Sequence, residues 1–78
     1  MKKQTMLHVE WNEKESSTYY VDKDKYSTAH KRGSKIILDS FEGNYIFNEK
    51  TKEVSLFNGY DTKRVNVKKW KVYEAPAI

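Results

Sequence analysis

The stretch from Lys35 to Val67, KIILDSFEGNYIFNEKTKEVSLFNGYDTKRVNV, alternates apolar and polar residues between three clusters of turn formers. A period of two marks strands with one buried face, and turn clusters between them mark hairpins. Glu42-Gly43 reads as a two-residue loop in which Gly supplies the positive φ. That register sets Phe41 opposite Asn44 and Leu38 opposite Phe47. Glu49 to Lys52 reads as a four-residue loop, pairing Phe47 with Val54 and Tyr45 with Leu56. The third cluster holds Asn58-Gly59, a strong hairpin signal. A two-residue loop there would set Asp61 against Leu56 and Lys63 against Val54. A loop from Gly59 to Thr62 is preferred, with Leu56 opposite Val65 and Val54 opposite Val67. A slip of one residue would invert the faces, so the parity of the reading carries more weight than any single pair.

One face of this meander is continuously apolar: Ile36, Leu38, Tyr45, Phe47, Val54, Leu56, Val65 and Val67. It is the expected core. The other face is mixed, with Ile37, Phe41, Ile46 and Phe57 among Asp39, Asn44, Arg64, Asn66 and Lys68.

Working outward, the alternation changes phase after Val67, because Trp70 and Val72 occupy even positions. A bulge or corner at Lys68-Lys69, or a short 3₁₀ turn, would produce that change. Thr5 to Trp11 alternates as well, with Leu7, Val9 and Trp11 on one side, and is expected to pair with the C-terminal strand. Tyr19-Tyr20-Val21 reads as a second short N-terminal strand. Residues 22–32 divide between a short helix, capped by Asp22 or Asp24 and ended by Gly33, and an irregular loop. The expected fold is therefore all-β: a small, bent antiparallel sheet or partly open barrel of five to six strands, with the helix at 22–32 as its one option. A single domain spans 1–78, with a frayed tail at 75–78 that holds Pro76, the only proline.

At 78 residues, a chain buries only about 60% of the surface it exposes when unfolded. Aromatics make up 14% of the chain, and much of that share is expected in the core. The absence of cysteine removes disulfides and thiolate metal sites and suits a reducing, cytoplasmic setting. Met1-Lys2-Lys3 is followed by only two contiguous apolar residues, Met6-Leu7, so no signal peptide is read. Ile36-Ile37-Leu38 is too short to span a bilayer. The charge is uneven: residues 61–78 carry Lys63, Arg64, Lys68, Lys69 and Lys71 against Asp61 and Glu74, or +3 of the net +4. A second basic cluster is His30-Lys31-Arg32 with Lys35. Such patches suit phosphates or an acidic partner, although solubility alone also favours charge of this size.

Catalytic chemistry has little to rest on. His8 and His30 lack metal-ligand spacing, and no metal or cofactor is expected. A grouping of His30, Asp39, Glu42 and Arg64 resembling a small ribonuclease site is not dictated by any spacing. Asp22 and Asp24 lack the Gly and final Glu of a calcium loop. Ser16-Ser17-Thr18 and Ser27-Thr28 have no base at a telling distance. The expected function is non-enzymatic binding, with nucleic acid as the leading partner. Single-strand binders combine basic grooves with aromatic platforms, and here Phe41 and Phe57 accompany Lys63, Arg64, Asn66, Lys68, Lys69 and Lys71. Lysines outnumber arginines thirteen to two, which favours phosphate contact over bidentate base readout. The competing expectation is a protein-binding regulator or inhibitor that occupies a larger protein, even a nucleic-acid enzyme. Its anchors would be Tyr60 at a hairpin tip, with Tyr19, Tyr20 and Trp70 as further candidates.

Overall fold

The computed structural model describes residues 3–22 and 28–76. Eight strands form two antiparallel sheets: β1 (Lys3–Glu10), β2 (Ser16–Tyr20), β3 (Ala29–Arg32), β4 (Lys35–Ser40), β5 (Gly43–Asn48), β6 (Val54–Phe57), β7 (Thr62–Arg64) and β8 (Lys69–Pro76). The chain termini build the smaller sheet, ordered β2-β1-β8, and the central segment builds a meander ordered β3-β4-β5-β6-β7. The described residues are all-β as expected, but with eight strands rather than five or six, and the sheets do not close into a barrel. No helix occurs among the described residues. Residues 23–27 of the expected helix lie outside them, while Ala29 to Arg32 are strand and turn back through Gly33-Ser34 to pair with β4. Gly33 has φ 61°, the left-handed conformation such a tight turn requires.

Each Asn-headed loop is closed by its own side chain. The Asn12 carboxamide oxygen accepts from the Lys14 and Glu15 amides. Asn48 does the same for Lys50 and Thr51, and Asn58 for Tyr60 and Asp61. An Asn that mimics a backbone turn fixes where the loop begins. The β5–β6 register is the expected one, with Phe47 opposite Val54 and Tyr45 opposite Leu56. The other two expected registers are displaced by two residues. In β4–β5 the turn is Phe41-Glu42, so Leu38 faces Tyr45 and Ile36 faces Phe47. The Ser40 hydroxyl donates to the Gly43 carbonyl and accepts from the Glu42 amide, which closes the turn one position early. In β6–β7 the Asn58 turn takes residues 58 to 61 as the loop. Leu56 therefore faces Lys63 and not Val65, while the Val65 amide donates to the Val54 carbonyl. Two-residue shifts leave the faces unchanged, so the expected core face survives both errors except at Leu56, which is half-buried and lies outside the core cluster.

The apolar faces of the two sheets pack together. Leu7, Val9 and Val21 meet Ala29, Ile36, Leu38, Phe47 and Val54, all buried. Trp11, Tyr19, Tyr45, Val65, Val67, Trp70 and Val72 border that cluster. Phe47 sits at its centre, with ring centroids 5.3 Å from Trp70 and 6.3 Å from Trp11. Burial in this cluster pushes the Tyr45 hydroxyl above its usual pKa, and its hydrogen bond to Glu42 (2.8 Å) adds to the effect. The phase change after Val67 falls where the chain leaves one sheet for the other: residues 65–68 are not strand, and β8 pairs with β1. β8 continues through Ala75 and Pro76, paired with Gln4 and Lys3, into the segment expected to fray. Residues 77 and 78 lie outside the described residues.

Candidate nucleic-acid interface

The smaller sheet covers the inner face, and among the described residues no second sheet lies over the outer face of the five-stranded one. Alternate residues of the same strands project there. One row of paired positions reads His30, Ile37, Ile46, Ser55, Arg64, and the next reads Asp39, Asn44, Phe57, Thr62. Ile37 and Ile46 are half-buried, and with Arg32, Ser34 and Lys35 they line a shallow depression. Phe57 is partly exposed. The expected row Phe41, Asn44, Phe57, Arg64 is not formed: Phe41 belongs to the β4–β5 turn, and Arg64 lies one row further along.

The basic residues of the C-terminal third divide among three places. Arg64, Asn66, Lys68 and Lys69 line one open groove of about 520 Å³, together with Lys52, Glu53, Val54, Val65, Val67 and Trp70. Four cations against one carboxylate give this groove a lining charge of +3. Lys63 lies on the opposite side of β7 from Arg64, across from Leu56. Lys71 projects from the outer face of the three-stranded sheet, with its ammonium 5.2 Å from the Tyr73 ring centroid.

The groove is built where β7 ends and the chain crosses to β8. The Asn48 turn ends in Lys52 at φ 66°, and the Lys52 ammonium sits 5.7 Å from the Trp70 ring centroid. Trp70 is held edge-on against Phe47, so it forms a fixed wall of the groove. Arg64 forms an ion pair with Glu53, both side chains well exposed. Lys52 carried no weight in the sequence reading, although its place beside the turn is legible once the β5–β6 register is fixed.

The expected aromatic contacts gather elsewhere. The β4–β5 and β6–β7 turns lie at the same end of the meander, so Phe41 (110% exposed), Tyr60 (93%) and Phe57 (37%) share that end. Gly43 makes this approach possible: with φ 133°, an added Cβ would stand 2.2 Å from the Phe57 carbonyl oxygen. Tyr20 is 70% exposed on the outer face of the smaller sheet, whereas Tyr19 and Trp70 face its core side.

The candidate catalytic groups are dispersed. His30 is on β3 and Arg64 on β7, at opposite edges of the five-stranded sheet. Four strand spacings, about 19 Å, separate such positions. The His8 imidazole shares a hydrogen bond with the Thr18 hydroxyl at 2.8 Å. Asp24 and Ser27 lie outside the described residues. Among the described residues no three acidic or histidine side chains gather into a metal-binding group, and no helix is long and apolar enough to cross a membrane. Comparison of the chain with protein-family models, with curated proteins and with solved structures gave no match.

Proposed function

We propose that this chain is a non-enzymatic protein that binds single-stranded nucleic acid, holding the phosphate backbone with little preference for base sequence. The observation that carries the reading is the convergence of Lys52, Arg64, Lys68 and Lys69 around one groove walled by Trp70. Lysine ammonium groups serve phosphates as point charges. An indole beside them offers a π-face to any base. Arg64 is the hinge of the arrangement: it lines the groove and also ends the outer-face row next to Phe57. A strand laid along the groove can turn over the β7 edge and stack a base on Phe57. Glu53 competes with phosphate for Arg64, so the lysines carry most of the expected charge neutralisation.

The test is affinity for a single-stranded oligonucleotide across a salt series. Log affinity should fall linearly with log salt, and replacing Lys68 and Lys69 together by Gln should reduce the slope by about 1.4, at ~0.7 per phosphate contact. Phe57→Ala should cost ~1–3 kcal/mol of binding without changing the slope. Failure to bind either single or double strands at low salt would remove this reading.

A second reading, a regulator or inhibitor that occupies a larger protein, draws on the exposure of Phe41 and Tyr60 at one end. Large aromatic side chains commonly anchor protein interfaces. Tyr60→Ala should then abolish capture of a protein partner that survives nuclease treatment, with melting temperature unchanged. Loss of every captured partner on nuclease treatment would exclude it.

A further inference from the structure

Among the described residues the longest edge strand is β8, eight residues against five, four and three for β2, β3 and β7, and the outer side of β3 is already bonded to Asp22. β8 pairs with β1 on one side, and no described strand pairs with its other side. Long open edges are templates for a further strand. The direction of each backbone group follows from the ladder. The Val21 amide donates to the Thr5 carbonyl and the Trp11 amide to the Glu15 carbonyl, so odd residues of β1 point their N–H and C=O toward β2. Even residues of β1 then point toward β8, and they face Lys69, Lys71, Tyr73 and Ala75. The amides of Trp70, Val72 and Glu74 are left pointing outward, along with the carbonyl of Pro76.

We propose that this edge pairs antiparallel with the same edge of a second copy of the chain, centred on Val72. An interface between identical copies related by a two-fold axis must be self-complementary, and β8 is so in one register. With Val72 opposite Val72 of the second copy, Trp70 meets Glu74, Lys71 meets Tyr73, and Lys69 meets Ala75. Each outward amide then has a carbonyl to reach, and no like charges stand opposite. Lys71 already lies near a Tyr73 ring within one copy, so this contact type is established on the same face. The neighbouring registers fail. Centring on Lys71 opposes two lysines, and centring on Glu74 opposes two carboxylates. Centring on Tyr73 sets Trp70 against Pro76, which has no N–H to give. Like charges directly opposite destabilise a strand pair. The product is a six-stranded sheet, ordered β2-β1-β8-β8-β1-β2, across two copies.

Sedimentation equilibrium combined with amide hydrogen exchange, from dilute to NMR concentrations, tests this pairing. The mean mass should rise from one copy toward two. Exchange at Trp70, Val72 and Glu74 should slow at least tenfold over the same range, while Lys71 and Tyr73, already bonded to β1, should change far less. Glu74→Pro removes an outward amide and leaves the backbone ladder to β1 intact, losing there only the Thr5 hydroxyl's bond to the Glu74 carboxylate; edge strands accept proline at such a position, and the variant should be a folded monomer. A mass of one copy at every concentration would overturn the proposal. So would a dimer that Glu74→Pro does not weaken, or one whose protection falls elsewhere. The exchange measurement uses the unaltered chain and decides the matter even if Glu74→Pro fails to fold.

Discussion

The two faces of the five-stranded sheet carry comparable apolar residues and meet opposite fates. Ile36, Leu38, Phe47 and Val54 are buried, while Ile37, Ile46 and Phe57, an odd number of positions away on the same strands, remain partly open. Composition does not separate them. What separates them is the smaller sheet, whose Leu7 and Val9, with Val21 just after β2, cover only one side. A small domain gains from every apolar residue it can bury, and apolar side chains left open beside cations are where a ligand surface is to be sought.

The comparison breaks most visibly at Phe47. Phe47→Ala should destabilise by ~3–5 kcal/mol, through lost burial and the cavity left behind. Phe41→Ala, on the turn, should stay within about 0.5 kcal/mol, as surface changes do. Chemical denaturation of the two variants measures the contrast directly, and similar losses would show that the faces are not distinct. The next effect is at Gly43, where the aromatic end depends on close backbone approach. Gly43→Ala combines a conformation nearly restricted to Gly, costing about 1–3 kcal/mol, with collision against the Phe57 carbonyl. Its amide spectrum should shift around Phe57 and Asn58 first. A variant as stable as the parent would mean the two turns are further apart than described.

The smallest effect concerns the rim of the core at Tyr45. Its pKa is raised in the folded chain by burial and then by Glu42. The protonated hydroxyl therefore stabilises the fold fully below its unfolded value of 10.0, and this contribution is lost as pH rises through the higher folded value. Denaturation midpoints should fall between mildly and strongly alkaline pH, and Tyr45→Phe should remove that part of the fall. A Phe variant with an unchanged alkaline profile would place the cause at other groups.

Most of the meander was legible because parity is robust. Both hairpins are displaced by two residues, so the residues that remain in strands keep their faces, while Phe41 passes into a turn and residues 65–68 leave the sheet. The two displacements share a cause: the expected loops end at Gly43 and begin at Gly59, whereas the side chains of Ser40 and Asn58 set where each loop closes. The β3–β4 hairpin was missed although Gly33-Ser34 is a known two-residue turn signal. Ala29 to Arg32 do not alternate in polarity: His30 is buried on the outer face, while Lys31 is exposed on the inner one, paired with Glu49 at 3.5 Å. The candidate site was legible in part. Arg64, Asn66, Lys68 and Lys69 fall within six consecutive residues and converge in space. Lys52 joins them only through the hairpin, and Lys63 and Lys71 leave them because strand parity and the change of sheet turn them elsewhere.

Backbone amide shift mapping during titration with a short single-stranded oligonucleotide tests the nucleic-acid reading most directly. The account predicts saturable shifts at Lys52 and from Arg64 to Trp70, extending to Phe57, with the outer face of the three-stranded sheet unmoved. Shifts confined to Met6, Tyr20 and Tyr73 on that other face, or none at low salt, would contradict it.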